Sequence, residues 1–479
     1  MNKKRVFYVV GFIVAAEAIL LMLPALVGLI YLEKEGLAYL MTAAGCAAVG
    51  AVLILSCKTG KQTIYAGEGF AIVALGWILI SAAGALPFVI TREIPNYIDA
   101  FFETVSGFTT TGASIVENVG TLSHPSIFWR SFTHFIGGMG VLIFIMAVVP
   151  NLADRSINIM RAEMPGPVVG KLVPRIRQTA GILYIIYVAM TLTEMILLII
   201  GGMPFFDSLC YSLGTAGTGG FSATPEGIVT PYSQWVVTIF MMLFGVNFNL
   251  YYLIIAGKIK AALSSVELRV YLILIAASGL FITFMIWPGQ YGSFSEALRH
   301  AFFQTVSIAT TTGYATADFN TWPMVCRALL VLLMCSGACA GSTAGGLKLS
   351  RVIIGLKSLW AEFKRLVHPR TYTAVTFEGR QVDQTTLTGV SVYLILYVVT
   401  LGATFFLLSF DKLGFTENVT ATVACMNNIG PGLGLIGPAS NYSAYSGFSK
   451  IVLSVAMLAG RLEFYPLVLT FLPATWRRK

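Results

Sequence analysis

Long apolar runs alternate with short polar interruptions along the chain, and the runs repeatedly reach the roughly 20 residues a helix needs to cross a bilayer. They lie at 6–32, 37–57, 69–91, 126–150, 180–203, 235–257, 270–288, 322–348, 387–410 and 447–472, which predicts ten membrane-spanning helices. The first follows Lys3, Lys4 and Arg5 and is too long for the core of a cleaved signal peptide, so it reads as a retained helix. Shorter semi-apolar stretches remain after the third, fifth, seventh and ninth runs, each too short or too polar to cross.

Those remainders repeat. DAFFETVSGFTTTGAS begins at Asp99 and RHAFFQTVSIATTTGYAT at Arg299, and both contain FF, TVS and TTTG. DSLCYSLGTAGTGGFS from Asp207 and ENVTATVACMNNIGPG from Glu417 are further copies. In one register Asp99, Asp207, His300 and Glu417 each precede a glycine by 13 residues, namely Gly112, Gly220, Gly313 and Gly430. One such glycine would be loop punctuation; four in register are a built feature. The predicted fold class is an all-α polytopic membrane protein, with four pseudo-symmetric helix/pore-helix/helix units around one pore plus two extra N-terminal helices. The divisions fall at 1–66 for the extra helices, then 67–165, 166–262, 263–370 and 371–479 for the units.

Composition removes the soluble alternatives. Of 479 residues 56% are apolar and 11% charged, against about 25% charged in soluble domains. The formal charge of +9 needs no nucleic acid: with the N-terminus inside, cytoplasmic segments hold 22 of the 31 basic residues. That asymmetry predicts cytoplasmic N- and C-termini. The segment 351–386 is expected as the largest cytoplasmic loop, basic and without a folded domain, so regulation has to come from another chain. The seven cysteines form no CxxC and read as buried small side chains, and the four histidines form no HExxH. Gly432, Gly434 and Gly437 match GxGxxG without the strand that a nucleotide site needs. A polytopic membrane enzyme would need convergent acid, base, nucleophile or metal groups, and the sequence has no GxSxG or clustered intramembrane carboxylates.

Re-entrant backbone at membrane depth is tolerated only where protein or a water-filled cavity covers it. Four re-entrant segments imply one shared polar axis. Carboxylates at the outer, positive ends of the short helices and four negative C-terminal ends aimed at the membrane centre favour a cation. The glycine that follows each helix lets carbonyl oxygens face a dehydrated ion.

With these motifs in place, the chain resembles the Trk/Ktr/HKT superfamily of potassium transporters over nearly its whole length, and most resembles the bacterial Trk-type membrane subunit, whose branch carries two extra N-terminal helices. The resemblance implies potassium uptake across the bacterial inner membrane through a backbone-carbonyl filter. Its K+-binding residues would be Thr110, Thr111 and Gly112, Thr218, Gly219 and Gly220, Thr311, Thr312 and Gly313, and Asn428, Ile429 and Gly430. Copy four departs from the pattern toward NNIGPG, and a less regular wall is expected there. A serine in copy one marks sodium-permeable members; glycine in all four implies potassium over sodium. The alternatives are a sodium-permeable or ion-coupled symporter of the same fold. The resemblance also implies a homodimer in membrane lipid and a TrkA-like cytosolic subunit carrying NAD or ATP, with no cofactor in this chain.

SGACAGSTAGGLK, from Ser336 to Lys348, interrupts the eighth run. Gly337, Gly341 and Gly345 have the GxxxG spacing of close helix packing, while the run of Gly, Ser, Thr and Ala also suits a broken segment beside a cavity. The resemblance favours the second reading, an intramembrane gate formed by Gly337, Gly341, Gly345, Gly346 and Lys348. Arg461 lies in the last run, where a guanidinium needs water or a partner. Glu463, two residues away on a helix, is an awkward partner; a helix-end carbonyl is another, and the resemblance places this arginine below the filter, as part of the gate. Lys348 either adds a second such charge or snorkels to the cytoplasm. Glu17 and Glu194 also lie in apolar runs, with no role assigned.

Overall fold

The computed structural model describes residues 1–58, 65–140, 176–370 and 373–476. Among them, six helical runs are long and apolar enough to cross a membrane singly: Lys3–Tyr31, Gly36–Ser56, Gly67–Thr91, Gly181–Ile200, Val266–Gln290 and Gln384–Leu408. Large apolar side chains such as Ile19, Leu29, Ile395, Val398 and Phe406 point outward, as a lipid-facing surface requires. The two N-terminal helices touch through small residues: a Cβ on Gly28 would meet the Gly36 backbone, and one on Gly50 the Ala15 backbone. A buried Arg5–Glu68 ion pair at 2.8 Å ties this hairpin to the third run.

Three expected spans are not single straight helices. The run at 235–257 is Pro231–Phe244 and Phe248–Ile255, bent by 90°, and the run at 447–472 is Gly447–Arg461 and Tyr465–Phe471, bent by 119°. The second bend needs left-handed backbone at Glu463 and Phe464, which hydropathy cannot register. The run at 322–348 is helical only over Met324–Ser336; Gly337 to Lys348 is irregular. In the run at 126–150, His124–Gly138 is helical, while residues 141–150 lie outside the described residues. So do Lys61, Arg155, Arg161, Lys171, Arg175, Arg477, Arg478 and Lys479, which contributed to the count of basic residues.

The stretch 351–386 is not an open loop. It contains most of the helix Leu349–Val367 and an antiparallel hairpin pairing Thr376 with Gln381 and Phe377 with Arg380. Leu356, Leu359, Trp360, Phe363 and Val367 recur at helical spacing, a signal that a search for long apolar runs passes over.

Four short helices, Tyr97–Phe108, Phe205–Gly217, Phe294–Ala309 and Phe415–Met426, fill the middle of the bundle. They are buried although rich in Thr and Ser, because hydroxyls bond back to the preceding turn: Thr104 to Ala100, Thr215 to Tyr211, Thr310 to Val306 and Thr422 to Asn418. Each carries a carboxylate in its first turn, at Asp99, Asp207, Glu296 and Glu417. The third departs from the repeat register. It starts earlier, at Phe294 with Ser293 as cap, so His300 sits mid-helix and Glu296 takes the acidic position.

Candidate ion pathway

All four short helices end in the same way. The amide of Thr110 bonds Gly107 O and that of Thr111 bonds Ser106 O, and the pairs Thr218/Gly219, Thr311/Thr312 and Asn428/Ile429 repeat both bonds at the same offsets. This is a Schellman C-cap, with its left-handed residue at Thr110, Thr218, Thr311 and Asn428. Glycine usually occupies that place, and a β-branched residue there costs on the order of 1–3 kcal/mol. Two residues on, Gly112, Gly220, Gly313 and Gly430 again have positive φ, from 76° to 93°. Alternation of backbone handedness turns successive carbonyls toward one side of the chain. The fourth copy keeps this conformation despite its different sequence, because asparagine enters the left-handed region readily.

The four returns close into a ring. A Cβ on Gly112 would strike Gly219 O, one on Gly220 Thr312 O, one on Gly313 Ile429 O, and one on Gly430 Thr111 O. Each aligned glycine therefore abuts the central carbonyl of the next copy in chain order, and the fourth returns to the first. Side chains stitch the outside of the ring: Asn428 Nδ2 donates to Thr111 Oγ1 at 3.0 Å and to Met457 O, and Tyr442 Oη donates to Gly430 O at 2.6 Å.

Behind the first two copies lies a buried ion pair absent from the sequence reading. Glu103 accepts from Arg130 Nε at 2.8 Å, from the Ser114 hydroxyl and from the Ile115 amide. Arg130 reaches on to Ser222 O and stacks over Phe221 at 4.2 Å. The clue is positional: Glu103 precedes Gly112 by nine residues, as Tyr211 precedes Gly220 and Gln304 precedes Gly313. Tyr211 likewise bonds its own return through Ser222 and Thr224.

The irregular segment lies against the inner side of the ring. Gly345 N donates to Thr311 Oγ1 at 2.7 Å, and a Cβ on Gly345 would meet Asn427 O and Asn428. Gly337, Gly341, Gly346 and Lys348 all have positive φ, so the GxxxG spacing here does not belong to a continuous helix. The segment is anchored to the bend of the second copy, Cys339 N to Gly245 O and Phe248 N to Gly341 O. Arg461 donates to Thr343 O at 2.9 Å and to the helix-end carbonyls of Gly137 and Gly138. Glu463 is engaged elsewhere, by a two-pronged contact from Arg351 at 2.9 and 2.6 Å. Lys348 is buried and donates to Ala344 O rather than snorkelling. Lys348 and Arg461 line one cavity with Gly138, Gly341, Gly345 and Gly460. Glu17 and Glu194 stand away from it, Glu17 against Gly84 and Glu194 facing Thr215.

A family model described as TrkH, cation transport protein, matches residues 37–478. The Trk system potassium uptake protein TrkH of Salmonella typhimurium is 35% identical over 492 residues, covering all of both chains. The Trk system potassium uptake protein TrkG of Escherichia coli K12 is 33% identical over 481 residues, 98% of each chain. The crystal structure of the potassium transporter TrkH from Vibrio parahaemolyticus superposes with a TM-score of 0.89 at 29% identity, covering 100% of each chain.

Proposed function

Because the chain belongs to the TrkH family of cation transport proteins, we propose that it is a potassium uptake transporter of the Trk system, with its ion path along the axis of the four returns. The observation that carries this reading is the ring in which Gly112, Gly220, Gly313 and Gly430 each abut a neighbouring copy's carbonyl. Inward carbonyls of Thr110 and Thr111, Thr218 and Gly219, Thr311 and Thr312, and Asn428 and Ile429, with those of Gly112, Gly220 and Gly313, replace the water shell of K+, while Gly430 O is taken by Tyr442 Oη. The chain divides into two N-terminal helices and four pore units, at 1–66, 67–165, 166–262, 263–370 and 371–479. Gly337 to Lys348 is the gate beneath the filter, and Arg461 adds a positive charge at its inner mouth. The transporter is a homodimer in the bacterial inner membrane with both termini cytoplasmic, controlled by a cytosolic TrkA-like subunit that binds NAD or ATP.

Rubidium uptake into proteoliposomes tests the reading. Uptake is expected to be competed by potassium and far less by sodium, and to rise when residues 338–344 are deleted. Comparable rubidium and sodium uptake overturns potassium selectivity. A folded deletion variant with unchanged flux overturns the gate.

A further inference from the structure

Glu267, in the first turn of Val266–Gln290, is buried, and one oxygen serves two distant amides. Its Oε1 accepts from Ala340 N at 2.8 Å and from Ser350 N at 2.9 Å. Ala340 lies near the start of the irregular segment and Ser350 just past its end, and Leu349 N to Ala338 O closes the neck between them. A carboxyl group that holds both limbs of a loop loses at least one hydrogen bond when either limb moves away.

The helix end that presents Glu267 is held by a second carboxylate, from the cytoplasmic hairpin. Glu378 Oε1 accepts from the Ser265 hydroxyl at 2.9 Å and from the Glu267 amide at 3.0 Å, and Oε2 accepts from the Val266 amide at 3.2 Å. Glu378 and Gly379 both have positive φ, which makes the hairpin turn a tight two-residue one that fixes where this side chain points. Lys357 donates to Thr376 O at 2.8 Å, linking the hairpin to the helix that leaves the irregular segment.

We propose that Glu267 and Glu378 are positioning residues that form a relay, through which the cytoplasmic hairpin sets how tightly the irregular segment is held across the pathway. The relay rests on the reading of that segment as a gate. It explains why a buried carboxylate faces backbone amides from both limbs of one loop.

The test is rubidium uptake per folded protein in proteoliposomes lacking any partner. Glu267→Ala is expected to raise flux about tenfold, the shift from losing a hydrogen bond made in one of two states, with the rubidium-to-sodium ratio unchanged. Glu267→Gln keeps an acceptor oxygen and is expected to stay near the parent. Glu378→Ala, outside the buried interior, is expected to raise flux and to speed hydrogen exchange at the Ala340 and Ser350 amides. The double variant is expected to match Glu267→Ala alone, because both changes act on one path. If deleting 338–344 leaves flux unchanged, the gate reading falls and the relay with it. If the deletion raises flux while folded Glu267→Ala does not, or if Glu378→Ala leaves exchange at Ala340 unchanged, the relay falls and the gate stands. Should Glu267→Ala fail to fold, Glu378→Ala and its exchange measurement decide alone.

Discussion

At the residue scale the decisive feature is the left-handed residue that ends each short helix. Thr110, Thr218 and Thr311 hold a conformation their β-branched side chains resist, and surrounding bonds such as Thr109 to Thr111 and Thr310 to Thr312, both 2.8 Å, hold it in place. Strain of this kind persists only where the surrounding structure over-determines it. At Gly112, serine brings a Cβ onto Gly219 O and a left-handed cost of about 1–3 kcal/mol. Gly112→Ser is expected to lower the rubidium-to-sodium uptake ratio by about tenfold, or ~1.4 kcal/mol, and an unchanged ratio separates this glycine from selectivity. Arg461 presents the opposite problem, a fixed charge that donates to the carbonyls of Thr343, Gly137 and Gly138. A unit charge at about 4 Å from a passing cation repels it by roughly 1–4 kcal/mol for effective dielectrics of about 80 to 20. Arg461→Gln is expected to increase flux several-fold with the ratio intact, whereas lower flux per folded protein assigns the residue to holding Gly137, Gly138 and Thr343 together.

At the element scale, junctions matter more than helices. Glu103 and Arg130 join the return of the first copy to that of the second while nearly excluded from water. Removing one partner of such a pair strands a buried charge. Arg130→Met is expected to destabilise the protein by about 3–5 kcal/mol, read as a lower detergent melting temperature. Glu103→Met/Arg130→Met is expected to recover much of that loss, and equal melting of the single and double variants disproves a net charge penalty. The elements themselves were unevenly legible. Short helices and aligned glycines were visible because their residues repeat at a fixed offset, and the displaced start of the third was not, because Ser293 caps it outside the repeat. The bend after Arg461 leaves no mark in the hydropathy, since Leu462 to Tyr465 keep the pattern of a span while the backbone turns by 119°. The helix Leu349–Val367 forms no long apolar run because basic residues interleave its apolar stripe.

At the scale of the whole molecule, orientation is set by where the basic residues stand, an argument independent of any contact. Green fluorescent protein fused after Lys479 is expected to fluoresce, and a periplasmic phosphatase fused at the same site to stay inactive; the reverse pattern inverts the topology. Sequence by itself determined the membrane class, the fourfold repeat and the glycine positions, because each depends on composition or spacing read along one strand of chain, whereas the spacing after Ser336 suited both a packed helix and a break, and the positive φ of Gly337, Gly341, Gly346 and Lys348 decided for the break. Only the tertiary structure decided the closure of the ring, where Gly430 returns to Thr111 O across more than 300 residues of sequence. It also decided the partners of Arg461, the Glu103–Arg130 pair and the grip of Glu267 on both limbs of one loop. Those contacts join residues far apart in sequence, in the same copy or in different ones, and a repeat pattern states what each copy contains without stating which residue it meets; that depends on how four similar units pack their polar edges inside a membrane where every buried donor and acceptor must find a partner.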